Sequence, residues 1–278
     1  MKREDALTLA TRCTEELVES LNGEGTEKLR QYLDAMARFR QYSFRNIMMI
    51  LAQYPDAEHV AGFHTWKQLG RWVKPGETGI AILAPMVGKP GSDNRDQETN
   101  DERKRLFGFR VVHVFDYKQT EGRELFELSP VLGDPGEAVQ ILKQVYRSLG
   151  IRLEYGSLPR GARGVSTGGR VIIRDGLTPE MECRVMTHEL AHELLHFQDD
   201  KTPTRTMAET EAEAVAYVVC QACQVDSREL SSEYIHLHNG DAKLLQASFE
   251  RVRSTACHIL HLMEEINLPV KELAFAAC

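Results

Sequence analysis

The sequence predicts an α+β protein of two domains, on three observations. Helix-period stretches open the chain and give way to β-branched runs. A Pro- and Gly-rich break, SPVLGDPGE, follows at 129–137. Beyond it, short strand-like runs lead into three long helical segments. The break separates an N-terminal mixed α/β domain over 1–128 from a C-terminal domain over 137–278.

In chain order, residues 4–21 and 26–53 read as two helices. The second carries Leu29, Leu33, Met36, Phe39 and Tyr42 at three- and four-residue spacings and is ended by Pro55. A short helix-like piece surrounds Thr65–Gly70, and Lys74-Pro75-Gly76-Glu77 reads as a turn. Ile80–Leu83 and Val111–Phe115 read as strands, and 80–86 pairs with 107–115 as a hairpin. Between them GSDNRDQETNDERKR contains no apolar residue and reads as a solvated loop. After the break come a helix over Ala138–Leu149, then strands IRLEY and RVIIR joined by the Gly-rich GSLPRGARGVSTG. Helices over 179–197, 207–224 and about 241–266 complete the pattern.

The chain has 278 residues, 42% hydrophobic and 27% charged, which is the balance of a soluble globular protein. No apolar run approaches the ~20 residues that span a membrane, and the first residues do not read as a signal peptide, so the expected location is cytoplasmic. The six cysteines are scattered and read as reduced thiols. Cys220 and Cys223, a lone CxxC inside a helical pattern, read as buried helix thiols rather than a metal or redox site. A net charge of −7 argues against a generic nucleic-acid binder. Residues 36–120 nevertheless carry thirteen Lys and Arg against nine Asp and Glu.

The chemistry is concentrated in MTHELAHELLHF, which contains HExxH as His188, Glu189 and His192. Residues four apart on a helix share a face, so the two imidazoles can ligate one zinc ion. Such an ion lowers the pKa of a water at its open position, and Glu189 stands where a general base is needed. Thr178 and Pro179 make a sound start for this helix, which is apolar nearly all round and therefore expected to be buried. His192, Glu193 and His196 repeat the pattern one turn on. The repeat shares His192 with the first set, and successive histidines drift by ~40° around the helix, so His196 reads as a supporting or exposed residue.

A catalytic zinc needs a third protein ligand. The next helix offers Glu209, Glu211 and Glu213; Glu209 and Glu213 share a face with Tyr217, and Glu211 points away. Glu209 is taken as the ligand and Glu213 as the carboxylate that supports a histidine, with Glu213 as ligand the runner-up. No oxyanion donor stands out, and Tyr217 is a weak candidate. The edge of RVIIR is placed to pair with an extended peptide.

VMTHELAHELLH followed by ETEAEAVAYVV resembles the zincin-like peptidase domain of ArdC-type antirestriction proteins and, more distantly, ImmA/IrrE-type peptidases. The family pattern of Glu, then Ala three on and an acid or amide at the fourth position falls on Glu209, Ala212 and Glu213. YSFRNIMMILAQYP, GFHTWKQLGRWVKPGETGIAILAPM and FGFRVVHVFDYKQT are similar to the ArdC N-terminal domain. The resemblance implies a gluzincin-like zinc metallopeptidase fused to a single-stranded-DNA-binding domain, in an antirestriction protein of a mobile element. Arg45, Lys67, Arg71, Lys74, Trp66 and Trp72 are the candidate DNA contacts, since single-strand binding uses basic grooves and aromatic platforms. Two other readings stay open: a DNA-binding protection protein with a non-catalytic zinc site, and a regulatory protease that cleaves one repressor-like partner.

Overall fold

Helices and strands mix along the chain as an α+β protein, and the computed structural model describes residues 2–21, 26–88, 105–124, 133–197, 204–225 and 242–276. The chain forms two compact units that interleave in sequence. One comprises Met1–Cys13 and Met48–Glu124, the other Thr14–Ile47 and Leu125–Cys278. They do not follow the single expected cut between 128 and 137.

In the first unit, β1 (Val60–Gly62), β4 (Arg105–Asp116) and β3 (Ile80–Gly88) form an antiparallel sheet in the order β1-β4-β3. The expected hairpin is present, with Ile80 opposite Val114 and Met86 opposite Gly108. The solvated loop expected between its strands lies mostly at 89–104, outside the described residues. α4 (Phe63–Gln68) leads to β2 (Arg71–Val73), which pairs with β5 (Thr120–Gly122). The Lys74–Glu77 turn closes with Glu77 N–H donating to Lys74 C=O at 3.3 Å. Gly76 sits at φ +86°, as the third position of a type II turn requires. Asp116, fully buried, accepts from the backbone N–H groups of Glu58, His59 and Lys118 and so pins the start of β1 to the end of β4. Ala6, Ala10, Met49 and Leu83 form a core cluster beneath Phe109 and Val111.

The second unit contains α2 (Thr26–Arg38), which lies against α7 (Arg205–Ala222) with Leu29, Leu33 and Met36 buried. The single helix expected over 26–53 is broken. The chain turns with Tyr42 N–H on Phe39 C=O, and α3 (Phe44–Gln53) starts anew with Ser43 Oγ accepting from Asn46 N–H. Phe44 stacks on Phe249 with ring centres 5.0 Å apart. Asp134 caps α5 (Pro135–Ser148), with Pro135 in the first turn. The sheet runs β6-β8-β7, with β6 (Arg152–Gly156) parallel and β7 (Gly164–Ser166) antiparallel to β8 (Arg170–Arg174). RVIIR is therefore the central strand, paired on both sides, and the edge expected there belongs to β7 instead. α6 (Pro179–Leu195) packs against α5, α7, β7 and α8 (Ala242–Ala276). Burial on nearly all faces of α6, from Cys183 through Leu190 to Glu193, explains its all-round apolar sequence.

Cys183, Cys220 and Cys223 are buried free thiols. A hydrogen bond with Cys183 and burial push the Cys220 thiol well up, which leaves it protonated and inert. Among the described residues no helix is long and apolar enough to cross a membrane.

Candidate metal centre

Thr178 Oγ1 accepts from Met181 N–H and Pro179 fills the first helical position, so α6 begins where the local sequence dictates. Further along the helix, His188 and His192 present their Nε2 atoms 3.1 Å apart. From the facing side of α7, Glu209 Oε2 lies 3.4 Å from His188 Nε2 and 3.6 Å from His192 Nε2. An ion held at ~2.0–2.2 Å by tetrahedral donors sets neighbouring donors roughly 3.3 Å apart, so this triangle has the dimensions of one side of such a site. Among the described residues it is the one group of three His, Cys, Asp or Glu donors that converges in this way.

Each histidine has a partner behind it. His188 Nδ1 lies 3.4 Å from Glu213 Oε2, and Glu213 in turn forms an ion pair with Arg184. His192 Nδ1 lies 3.0 Å from His196 Nδ1. Glu209 Oε2 is thus the third of the converging donor atoms, and Glu213 lies behind His188. His196 is not exposed: its side chain is 7% accessible.

Glu189 lines the same cleft, which measures about 810 Å³. Its walls include α6, α7 and the Gly161–Ser166 stretch, together with Phe197. The Glu189 side chain reaches its position because Gly164 of β7 has no Cβ. A methyl group there would stand 2.6 Å from Glu189 Oε1 and 2.7 Å from Val185 Cγ1. Burial raises the Glu189 carboxyl above its ordinary value, against the lowering effects of His188 and a hydrogen bond with Ser166. Glu193, one turn on, holds the turn between β7 and β8, accepting from Gly168 N–H at 2.9 Å and Gly169 N–H at 2.5 Å.

The titration of the metal-free site is uneven. Burial works against a charged His188, but hydrogen bonds with Glu209 and Glu213 outweigh it and lift the imidazole to about 9. Burial and the charge on His188 hold His192 at about 4. The hydrogen bond with His188 draws Glu209 down to about 2. At neutral pH the metal-free site therefore holds a charged His188 beside a neutral His192.

Tyr217 does not reach the cleft. It is buried, and its hydroxyl donates to Asp34 Oδ1 at 2.7 Å, so it has no part in oxyanion binding.

The candidate DNA contacts divide by burial. Trp66 is 2% exposed and donates its indole N–H to Phe115 C=O, which makes it core. Arg71 is 5% exposed, donates to Thr120 Oγ1, Thr120 C=O and Arg123 C=O, and lies 3.8 Å over the Tyr117 ring. Neither is available to a ligand: α4 turns Trp66 inward, and the alternation of β2 turns Arg71 inward and Trp72 outward. Trp72 is 53% exposed, Lys67 and Lys74 are exposed, and Phe63 is 49% exposed. Arg45 is half-buried on α3 and belongs to the second unit.

The fold and site together define an α+β protein with a His–His–Glu constellation, on two adjacent helices, that could hold a metal ion. Residues 8–115 match the family model described as the N-terminal domain of anti-restriction factor ArdC, so this part of the chain is similar to that domain. An uncharacterized protein of Bacillus anthracis is 26% identical over 287 aligned positions, covering 86% of this chain and 48% of the relative. The chain thus spans about half the length of that relative. Two crystal structures of the antirestriction ArdC protein from plasmid R388 are similar over 80% of this chain. The metal-free one has 17% identity, 84% coverage of that chain and a TM-score of 0.48; the Mn(II)-bound one has 16%, 83% and 0.49.

Proposed function

We propose that this chain is a zinc-dependent metallopeptidase of gluzincin-like type, joined to a domain that binds single-stranded DNA, and that it serves antirestriction. The observation that carries the reading is the convergence of His188 Nε2, His192 Nε2 and Glu209 Oε2 in a cleft that Glu189 also lines. Two imidazoles and one carboxylate suit zinc and leave room for a further ligand, the donor set of a hydrolytic rather than a closed structural site. Zinc held by His188, His192 and Glu209 would supply a Lewis acid for the attacking water and the scissile carbonyl. Glu189 takes the proton of that water and passes it to the leaving amine. Its buried carboxyl, with a raised pKa, suits both proton transfers. β7 is the edge strand of its sheet on the side that lines the cleft, so an extended peptide can add to it through main-chain hydrogen bonds.

The similarity to the ArdC N-terminal domain supports the DNA-binding half. Exposed Trp72 and Phe63 offer stacking platforms, and Lys67 and Lys74 offer charge. A protection protein with a closed, non-catalytic metal site is the competing reading. Incubation of the purified chain with a peptide library, read by mass spectrometry, separates the two. Hydrolysis that disappears with a chelator and in Glu189→Gln supports the peptidase. Absence of any cleavage by a zinc-loaded chain that still binds DNA favours the competitor.

A further inference from the structure

The metal-facing atoms do not account for the far side of His192. Its Nδ1, the ring nitrogen not turned to His188 and Glu209, lies 3.0 Å from His196 Nδ1. His196 Nε2 lies 3.3 Å from Glu211 Oε2. Glu211 Oε1 accepts from Ser248 Oγ at 2.6 Å, and Arg251 forms an ion pair with the same carboxylate. The Glu211 side chain is 2% exposed and that of His196 7%. A buried carboxylate, two imidazoles and a guanidinium thus form one chain that runs from α6 through α7 to α8.

Only one arrangement of protons satisfies this chain with a metal on His192 Nε2. His192 Nδ1–H donates to His196 Nδ1, and His196 Nε2–H donates to Glu211. Glu211 must then be an acceptor only, and burial alone would oppose its charge. His196, Ser248 and the Arg251 guanidinium all face that carboxylate and supply the donors it accepts from. The helix end allows the geometry. α6 stops at His196, whose φ of −117° and ψ of −13° depart from the helix while its N–H still reaches His192 C=O. The two rings lie with their centres 5.1 Å apart. His192 Nδ1 and His196 Nδ1 have no third donor beside them among the described residues, so the overlapping motif builds a support and not a second metal site.

We propose that His196 and Glu211 are positioning residues that fix the tautomer and orientation of His192 for metal binding and tether the metal site to α8. The inference rests on the zinc reading above. It extends that reading from the ligands, with Glu213 behind His188, to a longer support behind His192 that no HExxH pattern specifies.

The test is zinc affinity of the full chain, stripped of metal and titrated against a chromogenic chelator, with the fold of each metal-free variant checked by circular dichroism. His196→Leu lowers affinity about 10–100-fold, the usual cost of losing an outer partner of a ligand. His196→Asn recovers most of that loss, because its Oδ1 can accept from His192 Nδ1–H. Glu211→Gln gives a smaller loss and decides the matter if His196→Leu does not fold. Wild-type affinity in folded His196→Leu, or in Glu211→Gln when the Leu variant fails to fold, overturns the relay. If His188→Ala abolishes binding while these variants bind normally, only the relay falls. If the wild type binds no zinc, the relay falls with the metal reading itself.

Discussion

Glu213 Oε2 stands 3.4 Å from His188 Nδ1, and the other oxygen of the same carboxylate is held by Arg184. A carboxylate in that place fixes the histidine ring and makes its metal-facing nitrogen more basic. Glu213→Ala is therefore expected to weaken zinc binding about 10–100-fold while removing no ligand. Competition with a chelator measures this, and an unchanged affinity would return Glu213 to the role of an ordinary ion-pair partner for Arg184.

Metal binding should also release a proton. At neutral pH His188, lifted to about 9, carries an extra proton and is charged, while His192 at about 4 is neutral and Glu209 at about 2 is ionised. Zinc requires neutral imidazole, so it displaces that proton. Apparent affinity then rises roughly tenfold per pH unit toward pH 9 and levels off above it. The same shift stabilises the metal-free fold: the contribution is full below about pH 6.5 and is lost as pH rises through about 9. Calorimetry at pH 7 in buffers of different ionisation heat reads the release directly, and about one proton per ion is the expected count.

Gly164→Ala separates the base from the metal. The new methyl group meets Glu189 Oε1 at 2.6 Å and Val185 Cγ1 at 2.7 Å, so the carboxylate must move. Zinc content should stay near wild type while peptide hydrolysis falls about 100-fold, the scale on which a general base contributes. Loss of both together would mean that the substitution disturbs α6 itself.

The two tryptophans of the first unit should behave oppositely. Trp72→Ala removes an exposed platform, and each stacked base is worth about 1–3 kcal/mol. Oligonucleotide binding should weaken with thermal stability nearly unchanged. Trp66→Ala removes a core side chain and its hydrogen bond to Phe115 C=O, at a cost of about 3–5 kcal/mol in stability. A binding titration and a melting curve on each variant check the contrast.

Much of the fold is legible in the sequence where the physical signal is local. The β3–β4 hairpin, the capped start of α6 and the HExxH spacing each follow from short patterns of residues. The face of α7 that carries Glu209 and Glu213 follows from helical geometry alone. Where sequence and structure part, the deciding partner lies far along the chain or the local signal is too short. Leu29, Leu33, Met36 and Phe39 keep the helical period up to the break before α3, so Ser43 is the only local sign of a new helix. β7 is three residues of a Gly-rich stretch, too short for alternation to show, yet it takes the sheet edge expected of RVIIR. Arg71 reads as a surface cation until the carbonyls of Thr120 and Arg123 and the ring of Tyr117 enclose it. His196 drifts off the metal face as helical geometry requires, but its partner Glu211 emerges only once α6, α7 and α8 are packed.

The most direct test of the central claim is the metal content of the purified chain and of His188→Ala and Glu189→Gln, by elemental analysis covering zinc and manganese. The account predicts about one zinc per chain in the wild type and in Glu189→Gln, and almost none in His188→Ala. A wild-type chain that stays metal-free after incubation with excess zinc, or a His188→Ala variant that retains the ion, would contradict it.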